Sequence, residues 1–140
     1  MKTRYLGWIA ACLILLSGCT LRLVAPYDPQ TVQQAQSIER DIEYLYLSMQ
    51  ALPESERLYA RFTEQYLKID VSVRGLERRQ ARREQNQETL TQAQTLAQFW
   101  QQDMKIHQQK QTLSDFLIKR RLDQHKRLID ALIRGELAKQ

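Results

Sequence analysis

Residues 28–52 read DPQTVQQAQSIERDIEYLYLSMQAL, and this stretch decides the fold class. Val32, Ala35, Ile38, Ile42, Leu45, Met49 and Leu52 recur at steps of three and four. On a helix of about 3.6 residues per turn that stepping places them along one side, with Tyr44 and Tyr46 flanking the stripe. The start is equally legible. Asp28 offers a carboxylate to the unpaired N–H groups of a first turn, and Pro29 loses nothing at the first helical position, where an N–H would have no partner. A helix with one long apolar stripe is not stable alone in water, so elements of the same kind have to follow it.

The rest of the chain supplies them. A second helix is predicted from Pro53, because proline ends what precedes it and fits a first turn. Its stripe is Leu58, Phe62, Tyr66, Ile69, Val73 and Leu76, and Glu54 and Glu56 complement the positive end of its dipole. Residues 77–88, ERRQARREQNQE, carry no apolar face. They predict a solvated helix end and a reversal near Asn86. Beyond it Leu90, Ala93, Ala97, Trp100 and Met104 restore the stripe, and His107 and Gln111 continue it in polar form. Thr112 to Asp115 has the capping-box-like pattern T-x-x-D. Phe116, Leu117, Leu122, Leu128, Ile129, Leu132 and Ile133 then form a last stripe that fades at Gly135. Whether residues 87–137 make one bent helix or two stays open at this level.

The expectation is an all-α protein: an antiparallel bundle of three or four long helices, each of roughly 20 to 28 residues and up to about 40 Å. It occupies residues 28–140 as one domain. The near-heptad spacing also permits a coiled coil between chains. Pro53 and the polar 77–88 stretch favour folding within one chain, since they provide two points of reversal.

The first eighteen residues have a different character. Lys2 and Arg4 precede an apolar run from Tyr5 to Leu16, shorter than the roughly 20 residues a membrane-spanning helix needs. The run closes with Leu16-Ser17-Gly18-Cys19. This resembles the lipobox of bacterial lipoproteins, an aliphatic residue and two small residues before the cysteine. The resemblance implies a cleaved signal peptide over residues 1–18, with the cut between Gly18 and Cys19. It also implies that Cys19 carries a thioether-linked diacylglycerol and an N-acyl chain, enough acyl chains for stable attachment to a membrane. Under the enteric-type sorting rule that comes with the resemblance, Thr20 in place of aspartate favours the outer membrane over the inner, with the protein facing the periplasm. Residues 19–27 then read as an extended tether, its end marked by Pro26. Leu21, Leu23 and Val24 make it either a plain linker or a segment that dips into the lipid interface.

Of the two cysteines, Cys12 lies in the removed run and Cys19 is consumed by lipid, so the mature domain has no disulfide to stabilise it. Cleavage also removes the two charges of Lys2 and Arg4, and the net charge falls from +5 to +3. That excess is too mild to argue for nucleic acid, which the address also disfavours.

The mature chain has Gly75 and Gly135 as its only glycines, which excludes the usual glycine-rich phosphate cradle. Ser37, Ser48, Ser55, Ser72 and Ser114 sit in no nucleophile-elbow context. Asp103 and His107 stand one helical turn apart and would begin a metal site, but a zinc site needs three or four ligands and His125 is the only other histidine. The competing reading is a hydrogen-bonded or solvated pair on a helix face. Glu39 and Glu43 beside Arg40 read as surface pairing. No catalytic residue, metal, cofactor beyond the acyl groups on Cys19, or small-molecule substrate is expected.

Two surface features remain. Arg74, Arg78 and Arg82 share one helical face, with Arg79 and Arg83 on the next. Guanidinium groups grip phosphates and carboxylates in bidentate fashion, so the cluster is either a solvated charged tip or a site for lipid phosphates or an acidic protein. Glutamines along the first and third helices make either a plain soluble face or a polar docking surface, for which Tyr44, Tyr46 and Tyr59 are candidate anchors. The plan of lipidated cysteine followed by small helical domain is similar to that of the helical pilotins that escort secretin subunits, although the disulfide of one such type is missing here. It is also similar in plan to the major murein lipoprotein, which couples to peptidoglycan through a C-terminal lysine, whereas here Lys139 is followed by Gln140. The expectation is therefore a membrane-anchored module that binds or assembles an envelope protein, with a spacer between membrane and peptidoglycan as the alternative.

Overall fold

Asp28 caps the first helix as its position predicts. Its carboxylate accepts the Gln30 N–H at 3.1 Å and the Thr31 hydroxyl at 2.7 Å, and α1 runs from Pro29 to Gln50. The computed structural model describes residues 23–140. The expected signal segment with Gly18, the expected lipidation residue Cys19 and the first part of the expected tether lie outside the described residues. After α1 come α2 (Thr63–Ala81), α3 (Gln87–Lys110) and α4 (Asp115–Leu137), and the described residues contain no strand. Each helix packs against its two neighbours, α1 on α2 and α4, and α3 on α2 and α4. This is an antiparallel four-helix bundle folded within one chain. At about 1.5 Å per residue, the 24 residues of α3 span about 36 Å.

The core follows the stripes in α1 and α2, whereas in α3 and α4 it also takes in Leu96 and Ile118, which the stripes omitted, and leaves out Leu90 and Phe116. Ala35, Ile38, Ile42, Leu45 and Met49 of α1 meet Tyr66, Ile69, Val73 and Leu76 of α2, Ala93, Leu96, Ala97 and Trp100 of α3, and Ile118, Ile129 and Leu132 of α4. The small residues Ala35, Ala93 and Ala97 occupy core positions where larger side chains would hold the helices apart. Trp100 is fully buried, with its ring 5.3 Å from Tyr66 and 5.6 Å from His125.

Several expectations are corrected. Pro53 does not open a long helix. It precedes two short 3-10 turns, Glu54–Glu56 and Tyr59–Phe62, and α2 starts only at Thr63. Leu58 therefore falls on the link and is 46% exposed. Arg57 sets this geometry. Its buried guanidinium donates to the carbonyls of Leu52 at 2.9 Å and Leu113 at 3.0 Å and pairs with Asp115 at 2.8 Å. Because it ties both distal connections together, with Tyr59 N–H donating to Gln111 O beside it, the link stays irregular.

The chain does reverse at Asn86, as expected, and Gln85 takes a φ of 54° in the turn. The polar 77–88 stretch is not wholly solvated, however. Gln80 and Asn86 are buried because they bond to each other at 2.9 Å, and Gln80 donates to Thr31 Oγ1 at 2.8 Å. Residues 87–137 form two helices. They break at Gln111, whose φ is 67°, and the cap of α4 is Ser114, which accepts the Leu117 N–H. The T-x-x-D register was therefore off, since Asp115 already lies inside the helix, and Phe116 points outward with 72% exposure.

Candidate functional site

The end of the bundle where the chain enters is closed by a clasp of polar groups around Glu136. This carboxylate is fully buried, yet it lies near the end of the last helix, where the apolar stripe had faded. It accepts the Asp28 N–H at 2.8 Å, Arg83 at 3.0 Å and Lys139 at 2.7 Å. Burial alone would raise its carboxyl. The hydrogen bonds from Arg83 and Lys139 outweigh that and hold it below the ordinary glutamate value. Lys139 donates as well to Asn86 and Thr89, at 2.8 and 2.7 Å. Beside this hub Arg79 makes a two-point pair with Asp28, at 2.8 and 3.1 Å.

The clasp also takes in the chain that precedes α1. Ala25 is buried, its N–H donates to Gln85 O at 2.8 Å, and Arg83 donates to Pro26 O. Residues 25–27, the last three of the expected tether, thus belong to the bundle end, where a free extended linker was expected. Leu23 and Val24, just before the pinned residue, are 74% and 55% exposed.

The five arginines singled out by sequence do cluster here, but they divide by task. Arg79 and Arg83 hold Asp28 and Glu136, and Arg74 pairs with Asp70 at 2.7 Å. Arg78 and Arg82 are exposed. They form no ion pair among the described residues and line an open cleft of about 780 Å³ with Pro26, Tyr27 and Gly75. Sequence pattern could not separate the two groups, because the carboxylates that engage three of these arginines are set by tertiary contacts and, for Arg74, by a residue one turn back.

Asp103 and His107 do not form a pair on a solvated face. Both are buried, and each has its own partners. Asp103 accepts from His125 Nε2 at 2.6 Å and from the Tyr46 hydroxyl at 3.2 Å, and it faces Arg121 at 2.6 Å. His107 Nε2–H donates to Arg57 O at 2.7 Å, which leaves Nδ1 as the acceptor for the Tyr66 hydroxyl at 2.9 Å. Burial depresses the His107 pKa, in keeping with a neutral ring. It raises those of the Tyr46 and Tyr66 phenols. Tyr46 is accordingly a core residue and no docking anchor.

His125 also borders a cleft of about 270 Å³ between α1 and α4, with Glu39, Glu43 and Lys126. Its Nε2 is taken by Asp103, and among the described residues its buried Nδ1 has no hydrogen-bond partner. Among the described residues, no group of three or more His, Cys, Asp or Glu side chains is arranged to hold a metal ion. No described helix is long and apolar enough to cross a membrane.

Comparison with known proteins finds no match. That holds for family models, for curated proteins and for solved structures. The functional reading therefore rests on this chain's own residues.

Of the tyrosines expected to anchor a partner, Tyr44 is 67% exposed and Tyr59 is half-buried against Tyr66 and His107. Leu47 on α1 and Leu67 and Val71 on α2 are also exposed. They stand on the two helices that the Lys68–Asp41 pair joins at 3.4 Å.

Proposed function

We propose that this chain is a lipid-anchored envelope protein, attached through Cys19 to the outer membrane and facing the periplasm, whose bundle binds or assembles another envelope protein. The observation that carries the proposal is the clasp on the entering chain. Residues 25–28 are held to the bundle end by Gln85, Arg79, Arg83 and Glu136. A domain joined to its anchor by a freely pivoting linker would present every face equally. Here the pinned entry ties the Asp28 end of the bundle to the anchor side, and Tyr44, Leu47, Leu67 and Val71 lie farther along α1 and α2 from that end. Exposed aromatic and aliphatic side chains on a rigid helical pair are the common chemistry of protein docking.

A spacer bonded to peptidoglycan fits less well. Lys139, the candidate attachment residue, has a side chain only 8% exposed and spends its ammonium group on Glu136, Asn86 and Thr89. A covalent link would dismantle the clasp.

The test has two parts. A Cys19→Ala variant is expected to carry no acyl label and to accumulate as precursor, and wild-type labelling of that variant overturns the anchor. A photo-crosslinking residue at Tyr44 or Leu67 in intact cells is expected to capture one dominant protein. Capture of none, or the same products from a probe at Arg120, overturns the docking face.

A further inference from the structure

We infer that Arg78 and Arg82 are a headgroup contact, binding the phosphates of anionic phospholipid in the leaflet that holds the anchor. The inference rests on the proposal that Cys19 is acylated and adds a second membrane contact to it. Only Arg78 and Arg82 of the five arginines are left without a carboxylate partner among the described residues, and both are exposed. They stand four residues apart at the end of α2, Arg78 in its last turn and Arg82 just beyond it, about 6 Å along the helix axis, so their guanidinium groups reach one phosphate or two adjacent ones. The cleft they line holds a single carboxylate, Asp28, which Arg79 already neutralises. Glu77, Glu84 and Glu88 lie at the same end of the bundle, and none of them lines this cleft.

Position selects a membrane over an acidic protein as the source of the phosphate. Ala25 is pinned to Gln85, and it lies six residue steps from Cys19. Fully extended, they span no more than about 20 Å. The cleft, which Pro26 and Tyr27 of the entering chain also line, therefore lies within the tether's reach of the surface to which the acyl chains belong. Leu23 and Val24 are exposed on the same approach. Apolar side chains for the interface beside cations for the headgroups are the composition of a surface that rests on lipid. Contact at two points, the acyl chains and the arginines, would hold the bundle at a fixed tilt.

The experiment uses the mature acylated protein, floated on vesicles of phosphatidylcholine alone or with one third phosphatidylglycerol. Exposed arginines are modified with phenylglyoxal, and the products are mapped by mass spectrometry. Arg78 and Arg82 are expected to react about fivefold more slowly on the anionic vesicles. The protection should vanish in high salt, and the exposed Arg40 and Arg120 should react equally on both vesicles. Equal rates for Arg78 and Arg82 on the two vesicles overturn the inference while the anchor stands. Failure to float on either vesicle overturns the anchor and the inference together. Equal protection by inorganic phosphate without vesicles assigns the site to free phosphate, and protection seen in intact cells but not on vesicles assigns it to an acidic protein. Either result refutes the lipid contact.

Discussion

Replacing Asp28 by asparagine separates two tasks that one carboxylate performs. The side chain caps α1 by accepting the Gln30 N–H, and its charge holds Arg79. Burial would raise its pKa, but the Arg79 and Thr31 hydrogen bonds prevail and lower it from 3.8 to about 2. A shift of that size corresponds to roughly 2 kcal/mol of stability at neutral pH. Arg79 is 37% exposed, so screening by water reduces the charge contribution to about 1–2 kcal/mol. Asparagine caps helices about as well as aspartate, whereas alanine forfeits about 1 kcal/mol more. The folded pKa lies below the unfolded one, so this stability is complete above the unfolded value and is lost as pH falls through 3.8 toward 2. Asp28→Asn should therefore cost about 1–2 kcal/mol at pH 7, or about 4–8 °C in Tm for a domain of this size. Near pH 3 the gap to wild type should shrink to about half. Asp28→Ala should add a further loss of about 1 kcal/mol that does not change with pH. Urea unfolding followed by circular dichroism measures all three proteins at both pH values. An Asp28→Asn deficit equal at the two pH values would refute the charge argument, because a pH-independent loss points to packing or capping instead.

Glu136→Leu should cost about 3 kcal/mol, since it strands Arg83, Lys139 and the Asp28 N–H around an apolar side chain. A thermal melt within a degree of wild type would show that the clasp contributes no stability. Trp100→Ala, which empties a fully buried site, should lose about 3–5 kcal/mol in chemical denaturation. His107 is buried as a neutral ring, so its contribution is present above its unfolded pKa of 6.5 and is lost as pH falls below that toward the depressed folded value. His107→Gln keeps hydrogen-bonding capacity without titrating. The variant should show a shallower loss of stability than wild type as pH falls below 6.5, and identical slopes would count against the buried neutral ring. Gln85→Gly relieves a left-handed residue at φ 54° and should raise stability by about 0.5–1 kcal/mol. A loss would mean that the glutamine side chain itself supports the turn.

The all-helical class, four of the helical stripes and the reversal at Asn86 were legible in the sequence because local rules govern them. A period of three and four marks a buried helix face whatever that face packs against, and Asp28-Pro29 caps a helix through contacts two and three residues away. The lipobox-like residues are a chemical signal of the same local kind, readable without a fold. Tertiary structure decided what those rules do not reach. Leu58 fits its stripe by spacing but faces solvent, because Arg57 joins two connections remote in sequence and keeps the link irregular. Gln80, Asp103, His107, His125 and Glu136 are buried against their composition, since each finds its hydrogen-bond partners on other helices or on distant connections. The arginine cluster shows the division most plainly: five similar residues in one short run, with Arg79, Arg83 and Arg74 committed to carboxylates. Only the folded arrangement leaves Arg78 and Arg82 open to another charge.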